Sequence, residues 1–188
     1  FGLLCHRNFM AFALSGGLGM AGLFAFIASS PTIFITQFGI APENFGFFFG
    51  LNAAGLILGS QISVRMLRKH ASIKVLKTAL LLGLVSSVTG LLLTLGNLIN
   101  LTLFMICMFC LSACLGVINP NSTALALKEQ GTRLGVASAL MGCMQFMFGT
   151  LTSSLVSNWQ TGTALPLFTC LCVCIGISFI CGRHIGRA

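Results

Sequence analysis

The side chains able to move a proton, attack a carbonyl or hold a metal are few. Across 188 residues there are two carboxylates, Glu43 and Glu129, three histidines, His6, His70 and His184, and nine cysteines. All five acids and imidazoles fall between or outside the long apolar runs, so none offers a base, nucleophile or ligand at membrane depth. Cys107, Cys110 and Cys114 share one helical face, as a zinc site would require. They lack the flanking His or acidic residues and the polar surroundings such a site uses, and read as small apolar packing residues. No catalytic residue, metal or cofactor is expected. Uncharged polar groups do lie inside or beside the apolar runs, among them Asn52, Gln145, Asn119, Ser29 and Ser30. An amide inside a bilayer needs a partner or water, and therefore points inward. Asn52 and Gln145 fit substrate contact and interhelical bonding equally well.

These groups are set in a sequence that is 56% apolar and only 6% charged, with a mean hydropathy of +1.02. Soluble domains carry about a quarter charged residues. Six apolar runs, at roughly 9–29, 45–64, 75–95, 101–118, 135–157 and 163–181, each approach the ~20 residues that cross a bilayer. Continuous runs rather than short alternating ones predict helices, which satisfy every backbone amide within the segment. The fold expected is all-α, with six transmembrane helices and no soluble domain. The formal net charge is +8, but the positive residues lie between apolar runs and are not gathered with aromatics into a groove for nucleic acid. Arg7 precedes the first run. Arg65, Arg68, Lys69, Lys74 and Lys77 follow the second, Lys128 and Arg133 the fourth, and Arg183 and Arg187 the sixth. All ten thus share one side, and the positive-inside rule makes that side, with both termini, cytoplasmic. The chain opens at Phe1 without a Met or a leader, and reads as a piece of a longer protein.

Small residues recur at helical spacing. Gly46, Gly50 and Ala54, then Gly55 and Gly59, define faces on which helix backbones can approach, either statically or as a gliding interface. Pro31, after Ser29 and Ser30, should interrupt the first helix near its outer end, and Pro120 the fourth near its inner end. Each is either a helix end or a break whose freed carbonyls meet a ligand.

The run from Ser29 to Gly59, SSPTIFITQFGIAPENFGFFFGLNAAGLILG, together with NPNSTALAL and GVASALMGCMQFMFG between Gly116 and Gly149, resembles the second half of the bicyclomycin-resistance (Bcr/CflA) branch of the major facilitator superfamily. The match runs across that branch's seventh and eighth and its tenth and eleventh helices. Gly59 with Arg65, Arg68 and Lys69 occupies the place of the superfamily's basic loop motif, in a degenerate form with no Asp after Gly59. The resemblance implies a bacterial inner-membrane protein of two six-helix halves. It would export hydrophobic or cationic drugs in exchange for protons, with an N-terminal half as partner carrying the proton-accepting carboxylate. It also implies that the first and fourth helices line a cavity while the third and sixth face lipid. Competing readings are a non-transporting six-helix scaffold and a half-transporter working as a homodimer.

The one-sided basic residues generate a direct test of topology. Single cysteines at Ala41, Leu98 and Gln160 should react with an impermeant maleimide in intact cells, and those at Lys69, Gly131 and Gly186 only after the membrane is opened. Labelling of position 69 from outside would overturn the orientation.

Overall fold

The computed structural model describes residues 7–128, 130–159 and 161–184. Glu129, His6 and Arg187 lie outside the described residues. Six long helices account for nearly all of it: α1 (Arg7–Pro31), α2 (Pro42–Leu67), α3 (Ser72–Leu95), α4 (Leu101–Leu127), α5 (Leu134–Asn158) and α6 (Leu165–His184). All six are long and apolar enough to cross a membrane, and among the described residues there is no strand.

Local chemistry sets where these helices start. Pro42 sits in the first turn of α2 with Glu43 beside it, so a missing amide costs nothing there and a carboxylate faces the positive end of the helix dipole. Asn100 caps α4, its side-chain oxygen accepting the Leu103 amide at 2.8 Å. The turn between α1 and α2 passes through Gly39 at φ +66°, a conformation that disfavours any residue with a Cβ.

At Pro31 the α-helix ends, as the sequence predicts, although the chain stays helical, whereas at Pro120 there is no break. α1 runs through Pro31 and continues as a π-helix from Thr32 to Gln37, giving a first span that reaches Gln37. Proline cannot donate to the carbonyl four residues back, that of Ile27, and in lipid that oxygen needs another donor. Ser30 supplies it, its Oγ donating to Ile27 O at 3.1 Å, while Ser29 donates to Ala25 O at 2.8 Å. α4 likewise continues through Pro120 to Leu127. There Thr123 Oγ1 donates to Asn119 O at 2.9 Å and Asn121 Nδ2 to Val117 O at 2.7 Å, adding bonds around the proline turn. A side-chain donor thus replaces the amide that Pro31 lacks.

α1 and α4 pack against each other at the centre. α2 and α3 flank α4, α5 and α6 flank α1, and α3 closes against α6. α2 and α5 make no extensive contact with each other, so the far side of the central pair is left uncovered between them. With hydrophobic area offering little drive between helices in lipid, close packing and hydrogen bonds hold such a bundle. The tightest seam is α2–α4. A Cβ added to Gly59 would collide with the Ala113 carbonyl, and one added to Gly116 with the Leu56 carbonyl. Gly55 belongs to this seam, facing Phe109, whereas Gly46 and Gly50 are exposed with nothing within 4 Å. The small residues of α2 therefore form two separate faces.

Hydroxyls and one amide add bonds across the seams. Ser15 and Ser178 join their Oγ atoms at 2.7 Å between α1 and α6, and Ser86 Oγ donates to Cys107 O at 2.8 Å between α3 and α4. Thr152 and Ser153 of α5 donate to Ala21 O and Phe24 O of α1 at 3.0 and 3.2 Å. Asn121 Nδ2 donates to Ser63 Oγ at 2.6 Å between α4 and α2. The outward faces of α3 and α6 carry exposed Leu81, Leu82, Val85, Leu92, Val173 and Ile180, as an apolar solvent requires. Arg65, Arg68 and Lys69 are exposed at the α2–α3 end.

The α2–α4 seam gives a stability test. Gly59→Leu should lower the thermal midpoint in detergent by an amount corresponding to about 1–3 kcal/mol or more of overpacking, while Gly46→Leu leaves it nearly unchanged. Equal midpoints for the two variants would show that the helices do not approach at Gly59.

Candidate substrate pathway

The uncharged polar residues separate into two groups once folded. The first surrounds the middle of α1. From α4, Asn119 and Ser122 project toward Gly19 and Gly16. The Asn119 Oδ1 lies 2.6 Å from where a Cβ on Gly19 would be, and the Ser122 Cβ 3.2 Å from the same point on Gly16. From α5, Gln145 brings its Nε2 to 3.7 Å from that Gly16 position. Asn119 Nδ2 donates weakly to Met20 Sδ at 3.4 Å. Its Oδ1 and the Ser122 Oγ are buried and have no partner among the described residues. The absence of side chains at Gly16 and Gly19 is what allows three polar groups from two helices to reach α1.

The second group centres on Asn52 of α2. Its Nδ2 donates to Phe48 O at 3.1 Å and weakly to Met105 Sδ at 3.6 Å, while its buried Oδ1 is unpartnered. Asn52 and Ser112 line a cavity of about 210 Å³ between α1, α2 and α4. Ser29 and Ser30 belong to neither group. Both are bonded to their own helix near Pro31, and Ser29 borders a separate pocket with Trp159 and Thr163.

Of the residues singled out in the sequence, Asn119 and Gln145 are thus brought together and Asn52 stands on another seam of the same central pair. Gly55 and Gly59 are packing residues. Ser122 was missed, although its spacing of three from Asn119 puts it on the same helical face. Cys107 is buried, Cys110 exposed and Cys114 half-buried along α4, and no three His, Cys or acidic side chains converge among the described residues.

Six helices long and apolar enough to cross a membrane, four of them around a central pair that carries uncharged, under-bonded polar groups, define an integral-membrane bundle. Comparison with known proteins specifies which. The chain is 31% identical to the "uncharacterized MFS-type transporter YdgK" of Bacillus subtilis (strain 168) over 166 residues, 88% of the chain and 40% of that protein. It is 27% identical to the "bicyclomycin resistance protein homolog" of Haemophilus influenzae over 178 residues, 93% of the chain and 44% of that protein. The chain belongs to the major facilitator superfamily. It spans less than half the length of these two relatives. No protein-family model matches it, and no solved structure does.

The contact between Gly19 and Asn119 can be measured. Gly19→Ala should destabilise the protein by about 1–3 kcal/mol, and Gly19→Ala with Asn119→Ala should recover at least half of that, a coupling read from thermal midpoints in a double-mutant cycle. Additive effects would mean that the two residues do not meet.

Proposed function

We propose that the chain is the C-terminal six-helix half of a drug/proton antiporter of the Bcr/CflA type. In this reading it works with an N-terminal half in the bacterial inner membrane, both termini cytoplasmic, and is not an enzyme. The intact protein exports hydrophobic or cationic drugs. The observation that carries this is the group Asn119, Ser122 and Gln145 around Gly16 and Gly19, where α4 and α5 meet the middle of α1. Such groups can exchange bonds with a ligand without the large cost of moving a bare charge into low dielectric. The two relatives support the transporter class, and the printed name of the Haemophilus protein supports a drug as cargo.

Proton coupling needs a group that gains and loses a proton within the membrane field. The two carboxylates here are Glu43, exposed in the first turn of α2, and Glu129 in the link after α4. The reading therefore assigns the coupling carboxylate to the other half and leaves to this one the cargo contacts and the rocking surface. Exposed Arg65, Arg68 and Lys69 hold the cytoplasmic end in place against anionic headgroups.

The test is flux in vesicles holding the intact transporter, with an imposed pH gradient, a fluorescent cationic substrate and a pH dye. Asn119→Ala and Gln145→Leu should each lower gradient-driven flux by about tenfold, the loss of one hydrogen bond made to cargo. Thr89→Val, at an exposed position of α3, should not. Flux that ignores the gradient, or is untouched in both variants at equal incorporation, would refute the reading.

A further inference from the structure

We propose that the groove between α2 and α3 seats one acyl chain of an anionic phospholipid, whose headgroup rests on the basic residues at the α2–α3 turn. The proposal requires only that the chain spans a bilayer, and it stands apart from the cargo and antiport readings. α2 and α3 are consecutive, yet each packs on α4 far more than on the other. The space left between them is a groove of about 150 Å³ floored by Ala113, Cys114 and Val117 of α4, the size of an apolar cavity that accepts benzene. Its depth comes from Gly59, which lies against the Ala113 carbonyl, so that α2 puts no side chain into the groove at that level. The groove opens on the flank of α2 away from α5, beside the outer face of α3 with its exposed Leu81, Leu82 and Val85.

Lining and length both suit hydrocarbon. Ile62, Met66, Val75 and Leu82 form the walls, and the one hydroxyl, that of Thr78, donates to the Lys74 carbonyl at 3.0 Å. On α3 the groove reaches Leu82, ten residues beyond the helix start at Ser72, or about 15 Å of helix. That is half of the ~30 Å hydrocarbon thickness, the depth that the acyl chains of one leaflet fill. The end at the turn is basic. Arg65 adjoins Met66 and Lys74 lies one turn before Thr78, both of them exposed, and Arg68, Lys69 and Lys77 complete five cations between positions 65 and 77. No carboxylate follows Glu43 on α2 or occurs on α3, and Glu129, after α4, can neutralise one of the five at most. Lys and Arg lay their stems along apolar surface and hold their charges at the headgroup layer, where they favour anionic lipid. A seat for the chain and a counter-charge for the phosphate therefore meet at one place.

Photolabelling of the purified full-length transporter in phosphatidylcholine nanodiscs tests this, with phosphatidylglycerol and phosphatidylcholine probes that carry a diazirine on one acyl chain. Peptides containing Ile62, Leu82 and Val117 should take up the phosphatidylglycerol probe about tenfold more than the other. Unlabelled phosphatidylglycerol should displace it from them, an arm that needs no variant. Arg65→Gln with Lys74→Gln should cut the preference to about a third or less. Thr78→Trp, which fills the groove from an exposed position and keeps every cation, should abolish labelling at Val117 by either probe. Equal labelling by the two probes, a preference unchanged in the double variant, or label at Val117 surviving Thr78→Trp at an unaltered thermal midpoint would each overturn the site. So would the absence of label from these peptides, which would mean that another part of the protein covers the groove.

Discussion

Everything in this bundle depends on the contact between α1 and α4. Within their most apolar stretches both are 61% buried inside the protein, against 22% for α2 and α5, so these two helices are surrounded mainly by the rest of the bundle and the flanking ones much less. Lipid gives no hydrophobic reason for helices to associate, which leaves dispersion at close range and hydrogen bonds as the cohesive forces. Both need backbones that come near. Gly16 and Gly19 of α1 make room for the α4 side chains there, and α2, α3, α5 and α6 are held by attaching to one or the other of the pair.

The attachments follow a repeat. Exchanging α1, α2 and α3 for α4, α5 and α6 turns each major contact into another: α1–α5 becomes α4–α2, α1–α6 becomes α4–α3, and α1–α4 and α3–α6 map onto themselves. Because each unit has three spans, the second is inverted in the membrane, the arrangement known within each half of this superfamily. The two equivalent seams are nonetheless filled differently. At α2–α4 glycine meets backbone directly, whereas at α1–α5 Phe148 fills the space over Gly17 and Phe24 the space over Gly149. The α1–α5 seam is thus filled by side chains and tied by the Thr152 and Ser153 bonds to the α1 backbone, and α5 carries Gln145.

Spans and their number were legible in the sequence because lipid demands an apolar run wherever a helix crosses, and the alternation of basic and neutral links was equally plain. Helix ends were not. Pro31 and Pro120 both read as breaks, because the rule for proline counts the lost amide and not the donors nearby; the first ends the α-helix and the second does not. Ser30, adjacent to Pro31, supplies a bond to the Ile27 carbonyl that a pattern of apolar residues does not display. The site was legible as a set of types and not as an arrangement. Asn52 and Gln145 stood out as amides in apolar runs, yet only the fold assigns Asn52 to the α2–α4 side and Gln145 to the α5 side. Ser122 passed unnoticed because a serine in a helix is cheap to satisfy by its own backbone.

That last point separates polar groups with a structural task from those without one. Thr78, Thr89, Ser138 and Thr150, on exposed faces, each donate to the carbonyl four residues back, which is how a hydroxyl is made compatible with lipid. Ser15, Ser86 and Ser63 bond across seams. The buried polar atoms without partners among the described residues are Gln37 Oε1, Asn52 Oδ1, Asn119 Oδ1 and Ser122 Oγ. All belong to α2, α4 and the π-helical end of the first span, and none to the helices that face outward on the α3–α6 side. Were these atoms there for stability, the cheapest solution would be the one used on the outer faces, and they would be bonded. Unmet hydrogen-bonding capacity among the described residues is thus confined to α2, α4 and the end of the first span, and α4 carries Asn119 and Ser122 of the proposed cargo contacts.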